Sequence, residues 1–188
     1  QFLYTILFTA SDKLVGFTQY TAGLICFLAI YRLGLFFKWQ RSRALFAALI
    51  WATFPGIILQ STSTQNDLVL AALFASCILF LFIGMKELSY PYLVISGLSL
   101  GIAIGTKQTI LFLIPGLGLT ILLFVLKFKR TIIKPMLVWG AASFVSFLIL
   151  GSYIYIQNTI YYNSPAGPAE KVEGQTNEFS LQAITSEL

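Results

Sequence analysis

Six apolar runs dominate this chain, at 14–37, 44–60, 68–85, 92–106, 109–126 and 136–156, each divided from the next by a short polar break. A helix crosses a bilayer with about 20 apolar residues, and roughly 17–25 are workable. Hydrocarbon offers no water to backbone N–H and C=O groups, so a run of that length must close its hydrogen bonds internally as a helix. The expected fold class is therefore all-α: a polytopic transmembrane helical bundle of about six spanning helices over residues 1–156. Arg32 lies close enough to the end of its run to snorkel. Pro55 should kink or end the second run. The first ten residues, QFLYTILFTA, are apolar but too short to span, and read as an N-terminal partial helix. They have neither the basic start nor the cleavage site of a signal peptide, so the chain is expected to be a piece of a longer protein.

The charges give this bundle an orientation. Of the 12 Lys and Arg residues, nine fall in alternate breaks: Arg32, Lys38, Arg41 and Arg43, then Lys86, then Lys127, Lys129, Arg130 and Lys134. The other breaks and the tail hold Lys13, Lys107 and Lys171 with six of the 7 acids. Basic loops stay cytoplasmic, so 38–43, 86–91 and 127–135 are expected inside. Residues 61–67, 105–108 and the polar stretch 157–188 are then extracytoplasmic.

With 57% hydrophobic and only 10% charged residues, the apolar content is too extensive for one anchor on a soluble domain. The net charge of +5 is explained by the positive-inside bias, and no nucleic-acid partner is expected. There is no His, which removes His-based zinc sites, triads and haem ligation. Cys26 and Cys77 lie inside apolar runs, where a thiol packs as a small hydrophobe. Gly97, Gly101 and Gly105 form a small-xxx-small stripe that suits close helix approach. A phosphate loop is the wrong reading of GLSLGIAIGTK, because Gln108 follows Lys107 where GxxxxGK[ST] needs Ser or Thr.

Two places could carry chemistry. Residues 60–67, QSTSTQND, concentrate hydrogen-bonding side chains at a membrane boundary. Asp67 could simply N-cap the helix that follows; alternatively, the segment sits below the interface, where an ionisable group is costly and usually functional. Lys107 stands between apolar runs with no acid between Glu87 and Glu170. It is either an interfacial lysine or a cation facing an extracytoplasmic cavity, where it would suit a lipid-linked phosphate.

FPGIILQSTSTQNDLVLAALF, followed by GLSLGIAIGTKQT, resembles the polyprenyl-phosphate-sugar-dependent glycosyltransferases of the GT-C superfamily, in the protein mannosyltransferase and aminoarabinose transferase branch. QNTIYYNSPAGP at 157–168 is similar to that family's N-x-x-x-x-G-N-P segment, with Ser164 separating Asn163 from Pro165. The resemblance covers roughly residues 11–168. It implies a polyprenyl-phosphate-sugar donor and transfer to an acceptor on the extracytoplasmic face of a plasma (inner) membrane. It also implies that Asp67, with Asn66 and Gln65, lines the active-site cavity and that Lys107 binds the donor phosphate. Asn158 and Asn163 are weaker candidates, since Asn after a helix is commonly turn chemistry. The family's catalytic acid belongs to a first extracytoplasmic loop upstream of this chain, so no catalytic residue is assigned here and the piece alone is expected to be inactive. A divalent metal stays open. The rival functions are a transporter or flippase for a lipid-linked sugar, and a non-catalytic membrane scaffold.

Overall fold

The computed structural model describes residues 16–63 and 65–168, with the backbone alone at 128–130. The partial helix expected at 1–10 and the tail from 169 onward lie outside the described residues. Within them the chain is helical and has no strand. It divides into two compact units, residues 1–151 and 152–188.

The first unit contains α1 (Phe17–Phe36), α2 (Arg41–Ala52), α3 (Pro55–Ser61), α4 (Asp67–Glu87) and α5 (Tyr90–Thr106). A 3-10 turn, Gln108–Leu113, then leads into α6 (Ile114–Phe128), and α7 (Ile133–Ser146) runs on into a π-helical turn, Phe147–Gly151. Among the described residues, four segments are long and apolar enough to cross a membrane: Phe17–Phe36, Asp67–Glu87, Gln108–Lys127 and Ile133–Gly151. The second expected span is instead the pair α2–α3, bent by 67°. The cause is local: the ring of Pro55 disfavours helical backbone at the residue before it, and Phe54 is extended (φ −61°, ψ 128°). Pro115 breaks nothing, because it falls in the first turn of α6, where a missing N–H costs no helical bond.

The core lies between α4, α5 and α7, where Cys77, Leu81, Met85, Leu93, Leu100 and Trp139 are buried together. A second cluster ties α1 to α4 through Ala22, Cys26, Leu68 and Ala72. Both cysteines are buried free thiols. Gly97, Gly101 and Gly105 lie directly against α7 and its π turn, meeting Trp139, Ser146 and Gly151 respectively. Hydroxyls reinforce that seam. Trp139 Nε1 donates to Ser96 Oγ at 2.9 Å, Ser96 donates to the Cys77 carbonyl at 2.7 Å, and Ser146 donates to the Leu98 carbonyl at 2.9 Å. Close backbone approach and interhelical hydrogen bonds are what hold helices together where lipid removes the hydrophobic drive.

This seam makes a stability prediction. A Cβ on Gly101 would come within 2.5 Å of the Ser146 side chain and 2.6 Å of the Phe147 backbone, so Gly101→Ala should destabilise by about 1–3 kcal/mol. Gly140, on α7, has nothing within 4 Å of its Cβ direction among the described residues. Gly140→Ala should therefore be neutral or stabilising by about 0.5–1 kcal/mol. Unfolding midpoints of the two variants in detergent check this, and equal effects would refute the tight seam.

At one end of this unit the ends of α1, α4 and α6 converge, with Lys86 Nζ 4.8 Å from the centre of the Phe36 ring. The start of α4 and the end of α5 mark the other end.

In the second unit, α8 (Tyr153–Tyr162) ends on Asn163 in the left-handed conformation (φ 52°). The run at 136–156, expected as one span, is thus interrupted at Ser152. The helix ends in a turn: Asn158 Nδ2 donates to the Pro165 carbonyl at 3.2 Å, and Gly167 takes φ 105°.

Candidate functional site

The polar segment before α4 does two separate jobs. Its first half closes α3. Ser61, Thr62 and Ser63 turn their hydroxyls back onto the carbonyls of Ile58, Leu59 and Gln60 at 2.7, 3.0 and 2.9 Å. These carbonyls belong to the last turn of a helix, which leaves acceptors unmatched, so the hydroxyls are consumed locally. Thr64 lies outside the described residues.

The second half reaches across the bundle. Asn66 occupies the N-cap position of α4 without making a side-chain cap bond. Its Nδ2 donates instead to the Thr106 carbonyl at the end of α5, at 3.2 Å. Asp67 is the first residue of α4 rather than its cap, and its Oδ1 accepts a hydrogen bond from the Lys107 ammonium in an ion pair. The capping reading of Asp67 is corrected on this geometry: the carboxylate turns to a cation forty residues away in sequence. Both charges also lie where helix dipoles favour them, the acid at the start of α4 and the cation just beyond the end of α5. The side chains of Lys107 and Asp67 are 37% and 30% exposed, so the pair is reachable from outside rather than sealed in.

A further residue organises this end, one that little in its neighbourhood points to. Gln19 on α1 is fully buried. Its Nε2 donates to the Gln65 carbonyl, and its Oε1 accepts from the Val69 N–H at 3.3 Å. One side chain thereby fixes the backbone on both sides of Asn66 and Asp67. A lone Gln in an apolar run gives no sign of this. The only available clue was its burden, since a buried amide must find partners. Of the anticipated cavity residues, Gln65 takes part through its backbone carbonyl, and its side chain is exposed.

The structure brings Asn66, Asp67 and Lys107 together with Gln19 at one end of the first unit. Asn158 and Asn163 belong to the second unit, in the turn chemistry described above. Among the described residues no group of three or more His, Cys, Asp and Glu side chains gathers to hold a metal ion. Among the described residues at this end, Asp67 supplies the carboxylate, already committed to Lys107.

Residues 1–155 match the family model described as dolichyl-phosphate-mannose-protein mannosyltransferase. The chain belongs to that family. Neither a curated protein nor a solved structure matches it. Membership of this mannosyltransferase family, with the apolar helices described, makes the protein an integral membrane protein of glycosyltransferase type that uses a lipid-linked sugar donor.

Proposed function

We propose that this protein transfers a sugar from a polyprenyl-phosphate donor to an acceptor hydroxyl on the extracytoplasmic face, with Lys107 meeting the donor phosphate. The observation that supports this reading is the Asp67–Lys107 pair, held at the end of the bundle away from the basic breaks. An ammonium carries three N–H donors, and one is directed to Asp67. The others suit phosphate oxygens. In the transfer, the acceptor oxygen forms a bond to the anomeric carbon as the bond to the phosphate oxygen breaks. The electron pair leaves on the polyprenyl phosphate, where a fixed cation stabilises the growing charge. Asp67 serves to position Lys107, and the base that takes the hydroxyl proton is assigned to neither residue.

The pairing itself favours a second reading, in which Asp67 and Lys107 form a structural latch between α4 and α5. Binding of a polyprenyl-phosphate sugar to the purified full chain separates the two. A latch predicts unchanged donor affinity in a folded Lys107→Ala variant; the transferase reading predicts a loss.

The face is tested separately. Ser63→Cys should react with a membrane-impermeant maleimide added outside intact cells, while Gln40→Cys should be protected until the membrane is opened. The buried Cys26 and Cys77 give little background. The reverse pattern would place Lys107 on the cytoplasmic side and overturn the extracytoplasmic assignment.

A further inference from the structure

Asn66 stands at the N-cap of α4, yet its side chain does not cap the helix. A capping Asn sits in extended backbone and accepts from the N–H of the second or third helical residue. Here the third residue of α4 is Val69, and its N–H goes to Gln19 Oε1 at 3.3 Å, an oxygen supplied by another helix. Asn66 itself is held at φ −116°, ψ 13°, outside the capping conformation. The other end of the same amide holds it there: Gln19 Nε2 donates to the Gln65 carbonyl, part of the peptide that leads into Asn66. Relieved of the cap, Asn66 donates to the Thr106 carbonyl at 3.2 Å. Thr106 is the last residue of α5, and Lys107 follows it. Asp67, the neighbour of Asn66, accepts from the Lys107 ammonium.

We infer that Gln19 is a positioning residue for the donor phosphate: by capping α4 from α1 it releases Asn66 to tie down the end of α5, and so sets where the Lys107 ammonium stands. Burial makes the arrangement stiff. Gln19 is fully buried, and an amide taken out of water is costly unless both its ends are matched. Its two bonds fall on either side of Asn66, so the turn cannot rotate without breaking one of them. Without Gln19, the Val69 N–H falls to Asn66, a residue type and position well suited to capping. Capping from there needs extended backbone at Asn66, which re-aims its side chain away from Thr106 and leaves Lys107 less firmly placed. Loss of Gln19 therefore moves the cation more than it weakens the fold. The inference rests on the reading of Lys107 as the phosphate contact.

The test titrates the purified full-length protein with a labelled polyprenyl-phosphate sugar and records the unfolding midpoint of each variant. Gln19→Met keeps an unbranched side chain and removes both bonds. It should weaken donor affinity about tenfold, the lower end of what one charge-assisted hydrogen bond supplies. In the Lys107→Ala background the same change should cost nothing further, because no ammonium is left to place; additive losses would overturn the proposal. Ser96→Ala, which opens the Trp139 bond in the α5–α7 seam, controls for general loosening: its midpoint should fall while its affinity stays at wild type. An equal loss of affinity there would count against Gln19 in the same way. Gln19→Glu gives a second reading that does not depend on how well Gln19→Met folds. A protonated carboxyl donates to Gln65 and accepts from Val69 as the amide does, whereas a carboxylate only accepts. Its affinity relative to wild type should recover as the pH is lowered, and a flat ratio would refute the positioning role. Wild-type binding by Lys107→Ala would bring down the phosphate reading and this inference together. A loss in Lys107→Ala with none in Gln19→Met would remove only the role of Gln19.

Discussion

Replacing Lys107 with alanine is expected to weaken binding of the lipid-phosphate-linked donor by about 10- to 150-fold, corresponding to one charge-assisted hydrogen bond of ~1.5–3 kcal/mol. Lys107→Arg should retain part of the affinity. The charge survives, but the planar guanidinium is not a compact point cation and cannot take the same geometry against Asp67 and a phosphate together. Titration of the purified full chain with a labelled donor measures both. Alanine and arginine variants that bind as wild type does would leave Lys107 as a latch and remove the phosphate role.

The Asp67→Asn variant should divide stability from activity. The pair is roughly a third exposed, so its loss should cost no more than about 1 kcal/mol of stability. The backbone at the start of α4 stays fixed by Gln19 through Gln65 and Val69, and by Asn66 through Thr106. The Lys107 ammonium, however, loses the carboxylate that holds it. Displacing a charge-stabilising group by about 1 Å can cost up to ~100-fold in rate, so sugar transfer should fall by at least tenfold. Measuring transfer and the unfolding midpoint on one preparation of the full-length protein checks the split. Full activity in a folded Asp67→Asn protein would show that the carboxylate has no positioning role.

Much of the bundle was legible because the membrane leaves so few options for an apolar run. The starts of α1 and α4 follow the hydropathy, and the bend at Phe54 follows from Pro55. The Gly97–Gly101–Gly105 stripe foretold a close helix approach, because only small residues permit one, but not that α7 is the partner. The 3-10 geometry of Gln108–Leu113, directly after Lys107, and the break at Ser152 were not legible, since neither segment itself contains a proline or a charge. At the site, Asp67 stood out as the charge closing a polar segment and Lys107 as a lone charge between apolar runs. Their shared side followed from the alternating charges and the single hairpin between them, but their direct pairing was hidden, because no local feature marks a bond across forty residues. Gln19 was hidden for the opposite reason: it looks unremarkable until its burial is known.

The reach of Gln19 has a consequence for how the protein is made. Its partners are Gln65 and Val69, while Asn66 and Asp67 in turn engage Thr106 and Lys107. A chain synthesised from its N-terminus must therefore carry a buried amide in α1 through the insertion of α2 and α3 before the matching backbone emerges. It must then wait for all of α5 before the carboxylate meets its cation. During that interval the Gln19 amide needs other partners, water among them, and a leucine there would ease insertion while leaving the start of α4 to Asn66, which is bonded to Thr106.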